Sequence, residues 1–160
     1  MTPKLDEICN DVLYRMSGGT LTMRWDTQRE LKGGGLAEDI MIWFRKLSEP
    51  ITRERDASTA SGGEKQLLQA ANRIGLCIWS ASLGKPMPQM LFFDEAGNNT
   101  DDEMTAQFVE ELGRVADQFR AIVLVTPKRV VADMVAHRIE LSPIFGGVDV
   151  EYIGNGIEAN

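Results

Sequence analysis

The 160-residue chain is poor in cysteine and histidine, with two of the first, Cys9 and Cys77, and one of the second, His137. The two thiols lie far apart and make no metal-type spacing, so a reduced cytoplasmic setting is the plain reading, with a single bridge between them left open. No apolar run reaches the length of a bilayer span. The N-terminal Met1-Thr2-Pro3-Lys4-Leu5-Asp6-Glu7 lacks the charged-then-apolar order of a secretory signal. Basic residues are outnumbered, 17 to 24, for a net charge of −7. That argues against a free-standing nucleic-acid binder, which would show a basic face, although not against DNA contact inside a larger assembly. Nothing reads G-x-x-x-x-G-K-[ST], the loop that holds a nucleotide in many phosphate-transfer enzymes. There is no internal repeat.

What is present suffices for one domain with a real core. Leu5, Ile8, Val12, Leu13 and Met16 recur at helical spacing, and Ser17-Gly18-Gly19 ends that helix. Thr20 to Trp25 alternates as a strand, Gly33-Gly34-Gly35 reads as a hairpin turn or loop, and Ile40 to Phe44 reads as a second strand. Arg45 to Thr59 is polar and is expected to be a mobile lead-in. From Ser61 a long helix carries Leu67, Leu68, Ala71, Ile74, Gly75, Ile78 and Trp79, and Gly84 to Pro88 breaks it. Gln89 to Phe93 and Ala121 to Val125 are short, continuously apolar strands of the kind buried in parallel sheets. Between them Asp101 or Asp102 caps a helix reaching about Phe119. A helix over 128–136, a strand over 138–141 and an edge strand over 148–153 complete the pattern. Strands alternating with helices predict right-handed crossovers and a mostly parallel sheet.

Two segments carry chemistry. Ser61-Gly62-Gly63-Glu64 opens a helix: the serine caps an orphan amide, bare glycines admit close approach of an anion, and Glu64 sits where the helix dipole favours it. Alone, this is an ordinary capped helix. Leu91-Phe92-Phe93-Asp94-Glu95 ends an apolar strand in two carboxylates, at the sheet edge where α/β proteins hold ligands. Asp94 suits Mg²⁺ and Glu95 suits an attacking water. Alone, that is a strand and a polar turn. Ala96 to Asp101 follows as a tight turn with a capping aspartate.

Together and in this order, Ser61 to Glu64 resembles the signature of ABC-type ATPases, Phe92 to Glu95 the Walker B strand, and Asn98 to Asp101 the D-loop. Glutamate after the glycines, and the helix leading into Met16 to Thr22, resemble the SMC-like branch, including the SbcC-type subunit of a bacterial double-strand-break exonuclease. The resemblance covers most of residues 1 to 141 and is sharp in the three motifs. It implies an α/β, P-loop NTPase-like C-terminal lobe of an ATPase head. Residues 1–16 would be the end of a coiled-coil helix, 17–60 a β-rich lead-in, and 61–153 the signature and Walker B core.

The resemblance further implies ATP and Mg²⁺ as cofactors. Ser61, Gly62, Gly63 and Glu64 would face a nucleotide held by a second head. Asp94 would serve the metal and Glu95 the attacking water on its own head, with Asp101 at the head–head interface. The implied partners are an N-terminal P-loop lobe in the same or another chain, a second head, a nuclease subunit and DNA, in the cytoplasm or at the nucleoid and without a membrane. Where the family places a switch histidine, the sequence reads Thr126-Pro127-Lys128. With no P-loop lobe, the chain is expected to act as a fragment or split product that hydrolyses ATP only when completed. Two other readings remain: half of an ABC transporter's nucleotide-binding domain, or a non-catalytic dimerisation module.

Overall fold

A computed structural model describes residues 3–30, 34–49 and 53–154. The chain opens with helix α1, Pro3–Met16, whose buried stripe of Leu5, Cys9, Val12, Leu13 and Met16 is set by its 3.6-residue period. Gly18 and Gly19 take positive φ and close the helix with main-chain bonds back to Arg15 and Tyr14. Strand β1, Leu21–Glu30, then pairs antiparallel with β2, Leu36–Lys46, and β2 with the two-residue β3, Arg55–Asp56. Of the glycine triplet, Gly33 lies outside the described residues, while Gly34 has φ of 85°. The free edge of β1 is covered by α1: Asn10 accepts from the Met23 amide and donates to its carbonyl, and Asp6 accepts from the Trp25 amide.

The expectation of a mobile stretch over 45–59 is corrected for its described residues. β2 continues through Lys46, Arg55 and Asp56 extend the sheet, and Asp56 caps a short 3₁₀ turn at Ala57–Thr59. These bonds are carried by main chain and charged side chains, which hydrophobic periodicity does not register.

Helix α2, Gly62–Ser82, packs along α1, and the contact is tight at Gly75, where a Cβ would overlap Cys9 Sγ. Burial of the Cys9 thiol pushes its pKa up to about 11. Strand β4, Met90–Phe93, pairs in parallel with β5, Ala121–Leu124, and helix α3, Asp102–Val115, crosses between them. Phe93 meets Phe108 of α3 edge to face with ring centroids 5.6 Å apart. α3 also meets α1 through Glu111, a buried carboxylate that accepts from Arg15 Nε at 2.7 Å and from Arg114.

The helix expected over 128–136 is only α4, Arg129–Ala132. Only Val131 in it is buried and no side chain caps it, so little favours further turns. Beyond it, β6, His137–Ile144, and β7, Gly147–Gly154, form an antiparallel hairpin longer than the sequence suggests. His137 is exposed there and shares a 3.0 Å hydrogen bond with the Tyr152 hydroxyl.

Two apolar surfaces have no cover within the described chain. β4 buries Leu91 and Phe93 on α3's side but leaves Met90 and Phe92 more than half exposed, against the expectation of a strand buried on both faces. In the hairpin, the register sets Ile139 opposite Tyr152, Leu141 opposite Val150 and Pro143 opposite Val148, an apolar run that shares its face with His137 at the end of the ladder. The other face carries Glu140 opposite Glu151 and Ser142 opposite Asp149. The parallel part of the sheet is thus two strands, with the layer that would make β4 a central, buried strand absent from these residues.

Candidate functional site

The start of α2 is fixed by its own sequence. Ser61 is in extended conformation at the N-cap, its hydroxyl accepts from the Glu64 amide, and its amide donates to Glu64 Oε2 at 2.8 Å, a complete capping box. Glu64 also pairs with Lys46 at the end of β2. Burial raises the Glu64 carboxyl, but Lys46 and the Ser61 contacts outweigh it and hold it below its ordinary 4.5. Glu64 therefore stays ionised and ties the helix start to the antiparallel sheet.

The strand-end acids follow β4. Asp94 and Glu95 are both exposed, and Glu95 has φ of 54°, the only non-glycine residue with positive φ among the described residues. That conformation costs about 1–2 kcal/mol for a residue with a Cβ, and it persists only where neighbours over-determine it. They do so here. Gln66 Nε2 donates to the Glu95 carbonyl at 2.8 Å, the Ala96 amide donates to Val125, and Thr126 Oγ1 donates to the Ala96 carbonyl at 2.6 Å. Gly97, at φ 83°, then packs against Thr105 so closely that a Cβ would overlap it.

The two segments meet. A Cβ on Gly63 would lie 2.5 Å from the Asn99 carbonyl oxygen, and one on Gly62 would lie 3.0 Å from the Asn99 side chain. The glycines are therefore needed for loop 98–100 to lie on the helix start, a structural reason that the sequence reading, which gave them to an anion, did not contain. Asp101 caps α3 by accepting from the Met104 amide at 2.7 Å, next to this contact. Ser61, Gly62, Gly63, Glu64, Glu95 and Asp101 are thus held by one network.

Asp94 lines an open cavity with Gln66, Gln69, Ala70, Arg73, Phe92 and Phe93. Gln66 Oε1 is buried with no partner, and Arg73 donates to the Phe92 carbonyl.

Several residues escaped the sequence reading. Gln66 lies two residues beyond the Ser61–Glu64 motif, and its bond to Glu95 gives it a role. Thr126 and Lys128 flank Pro127, which itself is exposed. Lys128 Nζ donates to the Thr100 carbonyl at 2.7 Å and pairs with Asp102 at 2.9 Å, so the segment after β5 is fastened to loop 95–102 on both sides of the proline. Their signal was faint, because a threonine and a lysine after a strand are common.

Among the described residues no cluster of three or more metal-ligating side chains exists. Mg²⁺ does not require one, since it is held by one or two carboxylates, phosphate oxygens and its own waters. Asp94, an exposed carboxylate at the end of β4, is of the kind that holds a hydrated Mg²⁺.

No protein-family model and no curated protein matches the chain. Solved structures do. An Smc head domain with an extended coiled coil from Pyrococcus furiosus, bound to the C-terminal domain of ScpA, superposes with a TM-score of 0.68 over 94% of this chain at 18% identity. A structure from work on ATP-driven dimerisation and DNA-stimulated activation of SMC ATPases gives 0.65 over 94%, also at 18% identity. The SMC head domain of Thermotoga maritima gives 0.59 over 95% at 20% identity. The chain spans 35% of the first of these, 84% of the second and 48% of the third. No described helix is long and apolar enough to cross a membrane. The fold of this chain is that of SMC head domains, over the part of their length that it spans.

Proposed function

We propose that this chain is the C-terminal lobe of an SMC-like ATPase head, and that it supplies half of each of two nucleotide sites. The observation that carries this reading is the shared network of Ser61–Glu64, Glu95 and Asn98–Asp101, whose centre is a glutamate held at positive φ two residues beyond the end of β4. Strain of this kind, maintained by three flanking hydrogen bonds, is what a group needed at a fixed position requires.

In this role Asp94 would hold the metal and Glu95 would orient and deprotonate water at a nucleotide whose phosphates are cradled by a P-loop lobe. Bound there, Mg²⁺ would polarise the phosphoryl group of the triphosphate. Ser61 to Glu64 would present the N-terminus of α2 to the nucleotide of a second head, with the Gly62 and Gly63 amides, which the capping box does not use, left to donate. Gln66, bonded to the Glu95 carbonyl, joins the two halves of the lobe's chemistry. Asp101 and its loop lie where head-to-head contact would be made. The exposed Met90, Phe92 and the apolar face of the β6–β7 hairpin are the surfaces the P-loop lobe would cover.

The SMC-like DNA-repair branch, with coiled coil, nuclease subunit and DNA as partners, rests on Glu64 after the glycines. Glu64 has a defined duty here, closing the capping box and pairing with Lys46. Co-expression with a P-loop lobe of an SMC-like head tests the proposal. Stable co-purification that is lost when Phe92 and Leu141 are changed to Asp is the expected outcome. A chain that stays alone, with no exposed apolar face protected from hydrogen exchange, refutes it.

A further inference from the structure

Two locally unfavourable features stand at the two ends of one hydrogen bond. Glu95 is held at φ 54°. The carboxamide that donates to its carbonyl, through Gln66 Nε2 at 2.8 Å, has its own oxygen closed to solvent and without a partner. Turning that carboxamide over would set its oxygen against the Glu95 carbonyl, acceptor against acceptor. A buried acceptor without a donor lowers stability, and an apolar side chain at position 66 would not carry that penalty.

The bond acts on a clamped peptide unit. The Glu95 carbonyl and the Ala96 amide belong to one planar group. Its amide end donates to the Val125 carbonyl at 2.9 Å, and its oxygen accepts from Gln66 of α2. That oxygen also accepts from the Asn98 amide at 3.1 Å, a bond internal to the turn. Among the described residues, Gln66 is thus the group outside the loop that fixes the oxygen end. The Glu95 side chain is exposed, so this backbone rather than packing sets its direction.

We infer that Gln66 is a positioning residue for Glu95, kept at the expense of stability, which holds the Glu95 backbone left-handed and its carboxylate aimed. The catalytic consequence rests on the role proposed above for Glu95; the hold on its backbone does not. Gln66→Met separates holding from folding. Methionine is of similar length, removes the donor and the orphan oxygen together, and leaves the Glu95 carbonyl with the Asn98 amide. The variant should therefore be as stable as the parent chain or more stable, while Glu95 is released towards negative φ. A purely structural contact behaves in the opposite way and loses stability with the bond.

Two measurements test this. In the full chain labelled with ¹³C and ¹⁵N, the backbone carbon shifts of Glu95 and its amide–Cα-proton coupling report φ, and urea unfolding reports stability. The parent should show positive φ at Glu95, and Gln66→Met should lose it with an equal or higher urea midpoint. An unchanged Glu95 signature or a lower midpoint overturns the inference. In heads reconstituted with a P-loop lobe, Gln66→Met should lower kcat by about tenfold or more, with KM for ATP unchanged because the phosphates are held elsewhere. A kcat equal to the parent's overturns the positioning role. A parent complex without turnover refutes the nucleotide reading instead, and the Glu95 signature of the isolated chain still decides whether Gln66 holds it.

Discussion

Replacing Gly63 with alanine puts the contact between the α2 start and loop 98–100 under direct strain. Gly63 is helical, and in an isolated helix alanine there would stabilise by up to about 1 kcal/mol. In the folded chain the new Cβ would lie 2.5 Å from the Asn99 carbonyl oxygen and 3.1 Å from Thr100 Cγ2. Real Cβ atoms keep beyond 3.0 Å, so the main chain at Asn99 must retreat by about 0.5 Å. It is not free to do so. The Thr100 amide and hydroxyl are bonded to the Gly97 carbonyl, and Lys128 holds the Thr100 carbonyl. Overpacking against such a rigid support costs towards the upper end of about 1–3 kcal/mol, roughly 2–3, leaving a net loss of roughly 1–2 kcal/mol after the helix gain. For a domain of this size that lowers Tm by about 2–8 °C. Gly62→Ala is the milder comparison, because its Cβ would meet Asn99 Cγ at 3.0 Å and Cβ at 3.1 Å and asks for a smaller retreat. Urea unfolding followed by circular dichroism measures both. If Gly63→Ala is as stable as the parent chain or more stable, loop 98–100 does not lie on α2, and the network that joins the motifs is wrong.

Two further predictions follow from the same geometry. Cys9, raised from an ordinary 9.0 to about 11 by burial, holds its proton more tightly in the folded state than in the unfolded one. Its contribution to stability is therefore complete below pH 9 and lost as pH rises towards 11, by about 2–3 kcal/mol. The pH profile of urea unfolding for Cys9→Ala, subtracted from that of the parent chain, should show this loss; parallel profiles across that window would contradict it. Lys128→Met removes one bond to a carbonyl and one exposed ion pair, so it should cost only about 1 kcal/mol. In a reconstituted head it should lower turnover by about tenfold or more through loosening of loop 95–102, with nucleotide affinity unchanged; a turnover equal to the parent's would show that Lys128 does not position Glu95.

Local signals in the sequence were read well where side-chain periodicity and capping decide the structure. Residues 3–16 form the expected helix because Pro3 and Gly18-Gly19 bracket a regular apolar stripe. Ser61 and Glu64 announce the start of α2 because their capping box is a local motif. Asp101, rather than Asp102, proved to be the cap of α3. The sequence missed what depends on distant chain. The pairing of Arg55 and Asp56 is main-chain bonding to β2, and the glycines of the signature answer to Asn99, thirty-six residues beyond Gly63. Met90 and Phe92 read as buried because apolar content cannot report whether the covering layer belongs to the same residues. The left-handed Glu95 has no sequence signature, since glutamate is not a residue that seeks positive φ.

Hydrolysis measured with and without a P-loop lobe tests the account most directly. The purified chain should show no turnover with ATP and Mg²⁺. Mixed with the P-loop lobe of an SMC-like head it should support hydrolysis, and Glu95→Gln should abolish that turnover while leaving nucleotide-bound heads associated. Turnover of roughly 1 s⁻¹ or more by the chain alone, or normal hydrolysis by Glu95→Gln in the complex, would contradict it.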